Sequence, residues 1–138
     1  MQSWPESSGE SLHTTTFLGN PLGCVAGLSA LSAMKKKSLW KRSEQLGNKI
    51  LKELIRSLSE LPTIRNIRGK GLMIGIEFTQ RRKAVLVTEK LLKKGLIVLP
   101  EGNNSEVLGI TPPLTITEKQ IDYAIRIITE TILQVARS

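Results

Sequence analysis

Cysteine and histidine are nearly missing from this sequence, which has one of each, Cys24 and His13. A single thiol excludes any intramolecular disulfide and suits a reducing, cytoplasmic compartment, which is the expected location. A single imidazole leaves no His-based metal cluster and no Cys–His pair close in sequence, so no metal is expected. Aromatic residues make up 4%, too few for the stacked platform that single-stranded nucleic acid needs. No apolar run reaches the roughly eighteen residues that cross a bilayer. The first residues also lack the basic start and apolar stretch of a signal peptide, so a soluble protein without membrane contact is expected.

Basic residues are absent before Lys35, yet the formal net charge is +8. The lysines and arginines are scattered over Lys35–Lys37, Lys41, Arg42, Arg65, Arg68, Arg81–Lys83, Lys93 and Lys94, interleaved with glutamate. That pattern describes solvated helical faces, and net charge by itself argues for solubility and non-specific attraction, not for a specific nucleic-acid site. The remaining composition, 40% hydrophobic and 23% charged over 138 residues, fits one globular domain. At this length roughly two-thirds of the unfolded surface can be buried, so one core suffices without metals or disulfides.

Residues 1–19 are rich in Ser, Thr and Gly, show no helical or strand period, and read as an extended arm. Asn20-Pro21 then signals a helix start: the Asn side chain accepts from free backbone N–H groups, and proline is preset for the first helical position. This helix is expected to run to about Lys36, with small residues Ala26, Gly27, Ala30 and Ala33 and an apolar face at Leu28 and Leu31. A second helix is expected over Ser38–Leu61, striped by Leu46, Ile50, Leu54 and Leu58.

The near-continuous apolar run Leu72–Phe78 predicts a central strand covered on both faces. Arg81–Lys94 returns to helical spacing, with Gly95 at the left-handed cap. Leu96–Leu99 and Val107–Ile110 read as a hairpin around Gly102-Asn103-Asn104, and Thr117 with Gln120 has capping-box spacing ahead of a helix striped by Ile121, Ile125, Ile128 and Ile132. The fold class is therefore α/β, a short sheet packed with helices.

Taken alone, these residues hold few chemical signals. Glu53, Glu60, Glu77 and Glu89 fall within helix or strand patterns, where solvated faces and ion pairs are the ordinary reading. The hydroxyls and amides of Thr14-Thr15-Thr16 suit an anion such as phosphate, with a helix N-terminus at Asn20 nearby. They suit a β-prone extended segment as well, and composition alone favours that. Arg68-Gly69-Lys70-Gly71 has the residue types of a phosphate loop but not its strand–loop–helix order, and reads as a turn feeding the next strand.

Three stretches, in order, resemble the class III aminotransferases. His13-Thr14-Thr15-Thr16-Phe17-Leu18-Gly19-Asn20-Pro21 resembles that family's H-x-[ST]-T-[FY]-x-G-N-P segment. Arg68–Glu77 resembles its R-G-x-G-L-M-x-G-x-E stretch, and Pro112–Thr117 its P-P-L-x-I-T before the last helix. The resemblance implies the C-terminal small domain of a fold type I enzyme dependent on pyridoxal 5'-phosphate. On that footing residues 20–138 form the small domain with its leading helix, and the arm 1–19 reaches the partner subunit's cofactor, where Thr16, with Thr15 beside it, contacts the phosphate. The implied partners are an amino donor, an oxo acid, and either a second copy in a homodimer or a large-domain polypeptide.

The family's Schiff-base lysine lies upstream of the threonine segment, and no lysine precedes that segment here. This chain by itself is expected to hold no cofactor and not to transaminate. Many members carry an arginine three residues before the paired prolines, where it forks onto a substrate carboxylate. Gly109 stands there in this sequence, which points to an ω-amine or an unusual amino donor. A related aminomutase and a non-catalytic association module remain open as alternatives, because a small domain carries little of what separates such functions.

Overall fold

Asn20 begins the first helix as its side chain suggests, with Oδ1 accepting from the Gly23 N–H at 3.1 Å and Pro21 in the first helical position. In this computed structural model, residues 17–137 are described, and they fall into two units, 17–37 and 38–137. The first unit is a turn leading into α1 (Pro21–Lys36). Gly19 takes a φ of +73° at that turn, a conformation that favours glycine. Lys35 and Lys36 sit in the last turn of α1, where they complement the negative end of the helix dipole. Leu22, Val25, Leu28 and Leu31 are all exposed.

The second unit contains α2 (Leu39–Leu58), β1 (Ile64–Lys70), β2 (Met73–Phe78), α3 (Arg81–Lys93), β3 (Leu99–Glu101), β4 (Val107–Ile110) and α4 (Glu118–Ala136). Its four strands form one sheet in the order β1-β2-β4-β3, antiparallel throughout. Alternation decides which face is buried. Ile74, Ile76 and Phe78 of β2 and Leu108 of β4 point into a core shared with Leu46, Ile50, Leu54 and Leu58 of α2, Ala84, Val87 and Leu91 of α3, and the isoleucines of α4. Burying each large apolar side chain contributes about 1.5–3 kcal/mol relative to leaving it in water. The leucine stripe of α2 and the isoleucine stripe of α4 therefore hold the three helices against the sheet.

The ends of the helices follow local chemistry. Thr117 closes a complete capping box at α4: its hydroxyl accepts from the Gln120 N–H while the Gln120 side chain accepts from the Thr117 N–H. Gly95, at φ +81°, terminates α3 as expected. Ser38, which precedes α2, is a left-handed non-glycine residue with φ 45°.

Three expectations are corrected. Arg68–Lys70 lie inside strand β1 and only Gly71 and Leu72 make the turn. β1 is an edge strand in which only Ile64 is buried, so its charged, alternating sequence carries no apolar run. β2 is central, but among the described residues its second face is only partly covered: Met73 is 70% exposed, and Gly75 and Glu77 are half-buried. The hairpin forms, with its first strand at Leu99–Glu101 and not Leu96–Leu99, because the register pairs Leu99 with Gly109.

Candidate functional site

An apolar concavity of the second unit borders β4. Pro112 and Pro113 follow that strand without N–H groups to donate, so the segment cannot continue the ladder. Arg42, half-buried on α2, holds it instead: Nη1 donates to the Leu114 carbonyl at 2.8 Å, and Nη2 to the Ile116 carbonyl. Between this segment, α2, α4 and the start of β3 lies a cavity of about 380 Å³, lined by Ile50, Leu54, Ile97, Leu99, Gly109 and Ile125 among others. Ile97 and Leu99 are 79% and 63% exposed and mark its mouth. The lining is almost entirely apolar, and Thr111 supplies its one side-chain hydroxyl.

Gly109 pairs with Gly75 on β2 and with Leu99 on β3. Two glycines facing each other across neighbouring strands leave the outer sheet face bare at that level. The carboxylate of Glu101 fills part of the gap, with Oε2 2.9 Å from where a Cβ on Gly109 would stand. Glu101 was assigned no role in the sequence reading. Finding it requires the β3–β4 register, which places it diagonally across from Gly109, and spacing along the chain does not reveal that.

Further along the same face, Glu77 on β2 bonds to Arg68, and to Arg65 at 3.2 Å, both on the edge strand β1. The Arg68 guanidinium does most to hold the Glu77 carboxyl below the usual carboxylate range, partial burial opposes it, and Arg65 adds to the lowering. A depressed folded pKa stabilises the fold above the unfolded value of about 4.3, and that stabilisation is lost as pH falls through the folded value. Urea midpoints measured from neutral pH down to pH ~2.5 are therefore expected to fall more steeply for the natural chain than for Glu77→Gln. Parallel curves would show that the bridge adds nothing.

Of the residues singled out in the sequence, Thr15 and Thr16 lie outside the described residues, as does His13. Gly109 sits at the cavity. Among the described residues no group of three or more His, Cys, Asp or Glu side chains is placed to hold a metal ion. No helix among them is long and apolar enough to cross a membrane.

Residues 1–132 match the family described as aminotransferase class III, which covers nearly the whole chain. The chain belongs to the class III aminotransferases. Solved structures agree with the family assignment. An aminotransferase of Bacillus anthracis is 30% identical with a TM-score of 0.79, and the match covers 94% of this chain and 32% of that one. An ornithine aminotransferase of Plasmodium yoelii is 33% identical with a TM-score of 0.80, covering 94% and 34%. The acetylornithine aminotransferase of Elizabethkingia anophelis is 31% identical with a TM-score of 0.78, covering 91% and 33%. The chain thus spans about a third of the length of the aminotransferases it matches.

The family implies pyridoxal phosphate, and the cavity does not fit it. A phosphate dianion needs several donors, whereas the lining offers a single hydroxyl and no lysine, arginine or carboxylate. Lys49, Lys83 and Lys94 donate respectively to Glu118 and Asp122, to the Val135 carbonyl and to Thr131. The lining of this cavity therefore supplies no cradle for the cofactor's phosphate.

Proposed function

We propose that this chain is the C-terminal, small-domain portion of an aminotransferase dependent on pyridoxal 5'-phosphate, moving an amino group from a donor to an oxo acid. The family match over residues 1–132 carries the proposal, supported by a sheet-and-helix fold shared with aminotransferases three times its length. In this reading residues 1–19 are the arm and residues 20–138 the small domain with its leading helix. The cofactor supplies an electron sink when bound, and the lysine that anchors it belongs to a large domain. Thr16, with Thr15 beside it, donates to the cofactor phosphate of a neighbouring subunit, which makes a homodimer part of the active site.

The apolar side chains exposed along α1 support association with further protein, since patches of that kind mark contacts. Gly109, in place of a carboxylate-clamping arginine, favours an ω-amine donor over an ordinary α-amino acid. A paired experiment tests the reading. The purified chain, mixed with pyridoxal phosphate and borohydride, is expected to show no lysine fixed to the cofactor at a single site. Joined behind the large domain of the Plasmodium yoelii enzyme, it is expected to restore the cofactor's absorbance band, and Thr16→Val in that chimera should loosen the cofactor about tenfold. Cofactor fixed specifically onto one of this chain's own lysines would overturn the proposal.

A further inference from the structure

An asparagine side chain can react with the backbone that follows it, and this makes asparagine one of the thermolabile residues. The reaction needs the N–H of the next residue free to approach the side-chain amide carbon. Asn20 is followed by Pro21, which has no N–H, and its side chain already caps α1. Asn48 lies inside α2, where the Lys49 N–H belongs to the helical ladder. Asn66 lies in strand β1 ahead of Ile67, a β-branched residue paired with Ile76. Asn103 and Asn104 remain, both exposed, in the turn Gly102–Ser105 that joins β3 to β4.

These two neighbours differ in the nucleophile each would use. Ring closure at Asn103 requires the Asn104 N–H, which the Glu106 carboxylate holds at 2.8 Å in a charge-assisted bond. Closure at Asn104 requires the Ser105 N–H, whose bond to the Gly102 carbonyl is 3.3 Å long, against a usual length of about 2.9–3.0 Å. We propose that Asn104 is a site of spontaneous deamidation and that Glu106 protects Asn103 from the same reaction. The Ser105 nitrogen bonds to the Asn104 Cγ and gives up its proton, the Cγ–Nδ2 bond breaks, and ammonia leaves. Water then opens the cyclic imide at either carbonyl and yields aspartate or isoaspartate, with nothing oxidised or reduced. The product adds a carboxylate to residues 95–117, which hold Glu101 and Glu106 but no lysine or arginine. Neither a cofactor nor a second domain takes part, so the site stands or falls independently of the aminotransferase reading.

The test ages the full 138-residue chain in mildly alkaline buffer and follows it by peptide mass spectrometry and ion exchange. Deamidated product is expected at Asn104 before it appears at Asn48, Asn66 or Asn103, together with an acidic form of the intact chain. Asn104→Gln, which lengthens the side chain and so disfavours ring closure, should abolish that early acidic form. Glu106→Ala releases the Asn104 N–H and should raise the ratio of Asn103 to Asn104 product about fivefold, because the lost bond is exposed and water replaces it in part. Glu106→Gln keeps an acceptor and should raise that ratio less. Product arising first at Asn48 or Asn66, equal product at Asn103 and Asn104 in the natural chain, or an unchanged ratio in Glu106→Ala would each overturn the assignment.

Discussion

Alanine at Gly47 is expected to destabilise the second unit by about 3 kcal/mol, read from the urea midpoint of the purified chain. Two effects compete at this position. In the middle of α2, alanine is favoured over glycine by about 1 kcal/mol through helix propensity. Against that, a Cβ here would overlap the backbone of Gly71, whose O, C and Cα atoms all lie within reach, the Cα at 2.7 Å. The obstacle is main chain, so no side-chain rotation relieves it.

Gly71 has little room to retreat. It holds φ at +55° in the turn between β1 and β2, and the next residue, Leu72, donates its N–H to Ser43 Oγ of α2 at 3.0 Å. Leu72 is 4% exposed, so moving the turn also disturbs the core. Overpacking costs about 1–3 kcal/mol and occasionally more, and losing the Ser43 bond adds about 1 kcal/mol. The steric cost wins. A variant as stable as the natural chain, or more so, would mean that propensity decides and that α2 does not approach the turn this closely.

Gly47 also illustrates what the sequence conceals. The stripe Leu46, Ile50, Leu54 and Leu58 identifies the buried face of α2 correctly, because burial repeats with the helical period. The same stripe says nothing of which backbone that face meets. Helices α1, α3 and α4 were legible from caps and periodicity, their starts falling at Pro21, Arg81 and Glu118. The edge strand β1 was not, since an edge needs charge on its open side and shows one buried residue in seven. Gly109 was legible as a departure from a motif, but the carboxylate that lies against it was not, because Glu101 reaches it through strand register. The threonines Thr15 and Thr16 were legible only through their resemblance to the family's segment and lie outside the described residues.

Arg42 carries the second large effect. The segment Pro112–Thr117 links β4 to α4 and lines the cavity through Pro112, Pro113 and Ile116, yet it has little of its own to hold it. Its one backbone bond is from the Ile116 N–H to the Pro113 carbonyl, at 2.9 Å, before the α4 cap begins. The planar guanidinium fork reaches two carbonyls two residues apart, at Leu114 and Ile116, a geometry that a point charge cannot reproduce. Arg42→Met keeps the apolar stem and removes both donors. Bonds to a charged donor contribute about 1.5–3 kcal/mol each, but these carbonyls are only partly buried and regain water, so a total loss of about 2 kcal/mol is expected.

Arg42→Lys should recover less than half of that loss, because the ammonium serves one carbonyl at a time. Amide exchange should locate the damage, rising at Leu114, Ile116 and Thr117 before it rises in the core of α2. If Arg42→Met falls within about 0.5 kcal/mol of the natural chain, the range of an ordinary surface change, the paired prolines must be held by the apolar contacts of Leu114 and Ile116 with the core.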